Sequence, residues 1–406
     1  MHFETRKVNW ITMVFSPMDT TSVTIEIWVK AGSTYETRND NWISHFLEHM
    51  FFKWGKKYKT PKEVTETIDN VWWDFNAYTW REHTWYYVKV APDYLELAVD
   101  VLSDMLVRPN FDKNEIEKEK WVIIQELKMN QDNPHKVLWN KFALFYYWDN
   151  PYWWPVIGTE ENILSFTQED LFSYKNSLYT KDNLVIAVAG NVKNINQVAD
   201  LIWNKFKDLP EKKTRQKAKY PWIQAKEHIW FYKKWVEQNH LILWIKGFSI
   251  FEEERFSMAL LATILWWNMS SILFQELRER LWLCYYVSAA HYSSDEDWLF
   301  IVRAWLDKKN FKKWVEKINE ILDEILKNGV RQEQLDKARN YLIWKTKMWI
   351  ETSDEMTNYI LSDYLSLSKV LTLEEIIDGF NKVGLEDIKK VSERLIKDNR
   401  YLYYLD

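Results

Sequence analysis

At 406 residues the chain exceeds what one ordinary core accommodates and calls for two domains or three. Its 47% hydrophobic and 28% charged residues exclude a disordered chain, and a net charge of −5 without a basic stripe gives no footing for nucleic acid or anionic membrane. No run of 18 apolar residues marks a membrane span and the single cysteine, Cys284, excludes an internal disulfide, so a soluble cytoplasmic protein is expected.

Met1 to Arg6 lead directly into an alternating strand, with no secretory apolar region before it. Residues 22–31 alternate like a half-buried strand that ends at Gly32. A helix follows across residues 45–49, and Pro61 opens a second one at its first turn. Strand-like runs are expected around 73–79 and 84–91, then helices near 93–107, 112–131 and 134–147. Residues 183–189 read as a buried strand closed by Gly190, and a helix near 194–207 completes the first half. The polar, proline-bounded stretch 210–221 has a linker composition, which divides the chain into domains 1–209 and 222–406. After it the element order repeats: strands near 227–234 and 240–247, helices within 252–281, strands near 284–291 and 298–305, and long helices to about 398. A closing strand is expected at 401–405. Strands arriving in neighbouring pairs with helices between them predict an α+β protein, each domain a mainly antiparallel sheet covered by helices.

His45-Phe46-Leu47-Glu48-His49 carries the chemistry. Residues 45, 48 and 49 share one helical face, so two imidazoles can ligate one Zn²⁺ while the carboxylate reaches a water beside it. H-x-x-E-H is the inverted zinc-peptidase signature. The same residues also fit an ordinary amphipathic helix that happens to carry two histidines. Two histidines leave a catalytic zinc short of a ligand. Downstream, Asp112 to Glu115 read as a capping box, and on the helix it opens Glu119 and Glu126 are two turns apart, sharing a face with Val122 and Ile123. By residue type alone a solvated face is the favoured reading for these two glutamates. The other histidines (2, 83, 135, 228, 240 and 291) have no partner at ligand spacing and read as structural or exposed. Cys284 reads as a small core residue.

Taken together these residues resemble the pitrilysin/insulinase family of zinc peptidases, and specifically its shorter, mitochondrial-processing-peptidase-like members. The resemblance runs through His45 to Met50, Asn76-Ala77-Tyr78-Thr79, Arg81-Glu82, Thr84, Tyr86-Tyr87 and Gly190-Asn191-Val192, and covers essentially the whole chain. It implies that Glu126, 77 residues after His49, is the third ligand of one zinc ion per chain, and that Glu119 supports the site. It implies Glu48 as the general base on the attacking water, and Arg278 with Tyr285 as the pair that holds the substrate backbone. Asn76 and Ala77 are implied to lie on an edge strand to which a peptide substrate adds as a further strand. The reaction class implied is endopeptidase; a catalytically silent scaffold or pairing subunit of the same fold is the other class. A homodimer, or a heterodimer, is the implied assembly, with each site joining the N-terminal half of one subunit to the C-terminal half of the other.

The departures from that resemblance are of one kind. The chain has 26 tryptophans and only 8 glycines, and Trp42, Trp54, Trp72, Trp73, Trp121, Trp154, Trp266, Trp267 and Trp282 stand where the family commonly has glycine. Indoles are expected to meet backbone strain wherever such a position requires φ > 0.

Overall fold

The structure is a computed structural model that describes residues 2–53, 55–58, 63, 66, 74–147, 150, 151, 154, 159–219, 228–234, 236–294 and 298–406. Pro61, where a helix was expected to open, together with Trp54, Trp72, Trp73 and the start of the expected second domain at residue 222, lies outside the described residues; of that expected helix residues 63 and 66 are described, and both are helical.

In the first half, the apolar alternation builds β1 (Glu4–Val8), β2 (Ile11–Pro17), β3 (Val23–Val29), β4 (Asp74–Thr79), β5 (Thr84–Val90) and β6 (Leu184–Gly190). They form one sheet in the order β1-β2-β6-β3-β5-β4, in which only the β2/β6 pair is parallel. One face of that sheet, including Met13, Phe15, Ile25, Ile27, Val88 and Ile186, packs into the core. Helices α1 (Ile43–Phe51), α2 (Leu95–Val107), α3 (Lys113–Asp132), α5 (Glu160–Ser165), α6 (Gln168–Leu178) and α7 (Ile195–Phe206) also belong to this half. Of these, α5 and α6 were not expected; each is capped by a threonine, Thr159 and Thr167, whose side chain receives a first-turn N–H.

The second half repeats the plan with β7 (Ile229–Tyr232), β8 (Gln238–Lys246), β9 (Tyr286–Ser293), β10 (Trp298–Asp307) and β11 (Tyr401–Leu405). Their order is β7-β11-β8-β10-β9, again with one parallel pair, β7/β11. Numbered along the chain, the five strands stand in the order 1-5-2-4-3, the order that β2 to β6 adopt in the first sheet; β1 is an addition. Helices α8 (Glu254–Leu265), α9 (Phe311–Asn328), α10 (Gln332–Met348), α12 (Leu373–Asn381) and α13 (Leu385–Ser392) accompany this sheet. The helices expected within 252–281 are α8, which ends at Leu265 before an extended Trp266, and a separate π-helical turn at Phe274–Arg280.

The division into two compact units is not a single cut at the linker. The first unit comprises 1–132, 143–222 and 350–364; the second comprises 133–142, 223–349 and 365–406. Helix α4 (Pro134–Tyr147) and helix α11 (Ser353–Leu367) therefore each contribute to both. The ends of α11 explain its share in the first unit. Ser353 bonds Thr24 and Ser22, Thr357 bonds Glu26, and Asp354 pairs with Lys89, so the face of β3 turned away from the core is covered by a segment distant in sequence.

Six described non-glycine residues have positive φ, and three of them are tryptophan: Trp10 (79°), Trp42 (93°) and Trp282 (52°). Asn9 and Trp10 form the two-residue turn between β1 and β2, where both φ values are positive, a turn that favours Asn-Gly. Trp42 and Trp282 were expected to meet such strain; Trp10 was not. Trp121, by contrast, lies exposed on α3, and Trp154 is buried beneath the Arg38 guanidinium, 4.6 Å from its ring centroid.

Candidate metal centre

Helix α1 forms because Ile43, Phe46, Leu47, Met50 and Phe51 fall on one stripe and are all buried. Its N-terminus is capped from upstream by Glu36, whose carboxylate accepts the backbone N–H of Trp42 (2.8 Å) and of Ser44 (3.0 Å) and the side-chain amide of Asn41 (2.9 Å). Burial raises the pKa of Glu36 against those hydrogen bonds. Anchoring both the apolar stripe and the first turn leaves His45, Glu48 and His49 on the flank with one orientation.

Helix α3 supplies the facing residues. Asp112 accepts the N–H groups of Asn114 and Glu115, as expected of a cap, while the Glu115 carboxylate pairs with Lys118. The helix buries Ile116, Glu119, Ile123, Ile124 and Leu127 but leaves Val122 half exposed, so Val122 does not share the inner face as the spacing suggested. Glu119 is not solvated; it is only 4% exposed.

Three potential ligand atoms, one each from His45, His49 and Glu126, lie within 4.8 Å of one another. The Glu126 carboxylate is 3.7 Å from Nε2 of His45 and 3.7 Å from Nε2 of His49. These atoms can hold one cation of zinc's size and donor preference. The protonation states suit such a role. Burial, with a contribution from His49, lowers the pKa of His45 to about 3 and keeps its imidazole neutral. On the other side of His49, Nδ1 meets Glu119 Oε1 at 2.7 Å, and Glu119 Oε2 meets Lys53 Nζ at 2.7 Å. Burial works against the charge on Glu119, but His49 and Lys53 outweigh it and lower its pKa. An ionised Glu119 can only accept, so Nδ1 of His49 carries a proton and Nε2 is the atom left facing Glu126. Burial opposes charge on His49, but Glu119, Glu48 and Glu126 outweigh it and raise its pKa, so a metal at Nε2 would displace a proton there.

Glu48 stands beside this cluster. Burial raises its pKa above the ordinary carboxylate range, opposed by a hydrogen bond from Thr79 and by His49. A carboxylate whose pKa is raised in this way is of the kind suited to general acid–base work. The hydroxyl of Thr79 donates to Glu48 Oε2, a contact across 31 residues to which the sequence offered no pointer.

Asn76 and Ala77 lie on β4, the strand at the end of the first sheet, with Asn76 exposed. Asn76 Oδ1 accepts the N–H of Ala77 at 2.9 Å. In the second unit, Arg278 on the π-helical turn lies over the rings of Phe274 (4.7 Å) and Tyr285 (5.7 Å), and Tyr285 is 70% exposed. The expected pair is thus assembled, seven residues apart in sequence. His83 instead stacks on Trp28 at 4.1 Å, and His291 accepts the Phe248 N–H, so both serve packing. Cys284 is buried, and burial pushes its thiol up to about 11.

Residues 13–159 match the family described as "Insulinase (Peptidase family M16)", and residues 165–342 match "Peptidase M16 inactive domain". The chain belongs to the insulinase (M16) peptidase family. Among relatives, it is 32% identical over 380 residues to the "Uncharacterized zinc protease YmxG" of Bacillus subtilis, covering 93% of this chain and 91% of the relative. It is also 32% identical over 377 residues to an "Uncharacterized zinc protease" of Rickettsia felis, covering 92% and 90% respectively. In fold it is similar to a protease from Helicobacter pylori, with a TM-score of 0.90 at 21% identity, covering 100% of this chain and 99% of that one. An M16 inactive domain from Pseudomonas fluorescens superposes equally well, with a TM-score of 0.90 at 17% identity and coverage of 100% and 98%. Among the described residues, the one group of three or more suited to a metal is that of His45, His49 and Glu126, which falls inside the segment matched to the insulinase description.

Proposed function

We propose that this M16 chain is a zinc-dependent endopeptidase with His45, His49 and Glu126 as the ligands of one zinc ion. The observation that carries the reading is the convergence of these three residues with Glu119 fixing the tautomer of His49 and Glu48 alongside. Zinc bound there supplies a Lewis acid that polarises a scissile carbonyl and acidifies water. Glu48 takes the proton of the attacking water and passes it to the leaving amine, a role worth about 10²–10⁴ in rate. Arg278 offers a guanidinium and Tyr285 a phenol to a substrate carbonyl or the developing oxyanion. The outer edge of β4 at Asn76 and Ala77 receives the peptide as an added strand. The proposal extends to a cytoplasmic homodimer; among the described residues no helix is long and apolar enough to cross a membrane.

Metal analysis of the purified protein, paired with a peptide-cleavage assay with and without a chelator, tests the reading. It requires about one zinc per chain and cleavage that disappears on chelation and returns with zinc. Zinc-loaded protein that cleaves no peptide from a diverse library would leave the silent scaffold in its place.

A further inference from the structure

Glu48 sits on a helix whose packing is settled on the opposite side, so its own torsions need a separate restraint. That restraint comes from one residue. The Thr79 hydroxyl donates to Glu48 Oε2, and the Thr79 backbone N–H adds a second contact. Thr79 is the last residue of β4, is 5% exposed, and pairs in register with Thr84 of β5.

Thr84 is the other hydroxyl near Thr79. Thr84 is fully buried and donates its hydroxyl to the Ala31 carbonyl at 3.0 Å, while standing 3.5 Å from Thr79 Oγ1. Thr84 therefore sits at the outer limit of hydrogen-bond reach from Thr79, and the close acceptor for the Thr79 hydroxyl is the Glu48 carboxylate. The β4/β5 register fixes the place of the Thr79 oxygen beside Glu48.

We propose that Thr79 is a positioning residue for the general base, holding the Glu48 carboxylate at the angle from which it reaches the attacking water. This rests on the peptidase reading above. Thr79 is buried and lies behind Glu48 in the chain of contacts, so it acts through Glu48 and not on substrate. A catalytic group must be held within roughly 0.5 Å of its working geometry, and a misplacement of about 1 Å can cost on the order of 10²-fold in rate. Removing the hydroxyl is thus expected to act on kcat and leave KM in place.

The test uses Thr79→Val, which keeps the branched shape and removes the hydroxyl, and Thr79→Ser, which keeps the hydroxyl. For Thr79→Val a kcat lower by about 10–100-fold is expected, with KM, bound zinc and melting temperature near those of the parent protein. Thr79→Ser is expected to recover most of the lost kcat. Crystal structures of both variants in zinc-free form supply a readout independent of turnover: Glu48 should leave its rotamer in the valine variant and keep it in the serine variant. A valine variant with parental kcat overturns the proposal. So does one in which Glu48 stays in place, or one in which kcat, KM and zinc content fall together. If the parent protein cleaves no peptide, the peptidase reading fails, and the Glu48 rotamer in the two crystal structures alone decides the role of Thr79.

Discussion

Glu119 accepts the Nδ1–H of His49 at 2.7 Å from a point two helical turns before Glu126 on the same helix. One helix thus provides both a carboxylate facing the Nε2 side of the histidine and the carboxylate that sets its tautomer. Orienting carboxylates of this kind typically contribute 10–100-fold to metal affinity. Glu119→Ala is expected to lower zinc affinity by about that factor, measured by competition with a chromophoric chelator. Parental affinity in the variant would show that Glu119 serves only to neutralise Lys53.

Arg278 presents its guanidinium over Tyr285, and Tyr285 is mostly exposed. Arg278→Lys keeps the charge but loses the planar fork that bonds a carbonyl from two nitrogens. Losing a charge-assisted hydrogen bond of about 1.5–3 kcal/mol predicts a fall in kcat/KM of roughly 10–100-fold, with the melting temperature unchanged. Steady-state kinetics on one peptide checks this, and a fall of under two-fold would remove Arg278 from the site.

Glu26 is buried on β3, where Trp28 Nε1 donates to Oε1 and the Thr357 hydroxyl lies 2.6 Å from Oε2. Burial, with repulsion from Asp354, pushes its pKa up to about 7 against those hydrogen bonds. Thr357 also has the Asp354 carbonyl at 2.9 Å, so a protonated Glu26 can donate to Thr357 while Thr357 donates onward. The folded state therefore holds this proton more tightly than the unfolded chain does. The stability that Glu26 contributes is full below about pH 4.5 and is lost as pH rises through about 7, by at most about 3 kcal/mol. Glu26→Gln is expected to flatten this loss and to be the more stable protein at pH 8. Denaturant midpoints of the two proteins at pH 5 and pH 8 measure it, and equal pH dependences would refute it.

Trp282 is 79% exposed and has φ 52°, a backbone conformation that costs a side-chain-bearing residue about 1–2 kcal/mol. With little packing to lose, Trp282→Gly should raise stability by about 1 kcal/mol, read as a higher denaturant midpoint at unchanged slope. Trp42 does not offer so clean a test. It combines φ 93° with full burial and stacks on His45 at 5.5 Å, so glycine there trades strain for a cavity. A lower midpoint for Trp282→Gly would mean that the indole makes a contact worth more than the strain.

The motif at 45–49 and most strands of each half could be read from sequence because period and ligand spacing are local properties; the division of the N-terminal strand into β1 and β2 could not. Glu126 and Glu119 needed the family resemblance, since a glutamate on an amphipathic helix carries no mark of which face is buried. The role of Thr79 could not be reached either way: it depends on the register between β4 and β5 and on a contact with Glu48 across 31 residues. Nor could the allocation of residues 353–357 to the first unit, because serines and threonines opening a helix look the same whether they face water or a buried glutamate. Trp10 was missed for a simpler reason, the Asn-Gly signal of its turn being hidden by the indole.

The strand order 1-5-2-4-3, used twice in one chain, is more economically explained by copying one ancestral segment than by two independent arrivals at the same path. On that view α8, which like α1 follows the second strand of its set, descends from the same helix as α1. Glu254–Leu265 carries no histidine and has turned almost wholly to apolar packing. One copy carries His45, His49 and Glu126, the other Arg278 and Tyr285.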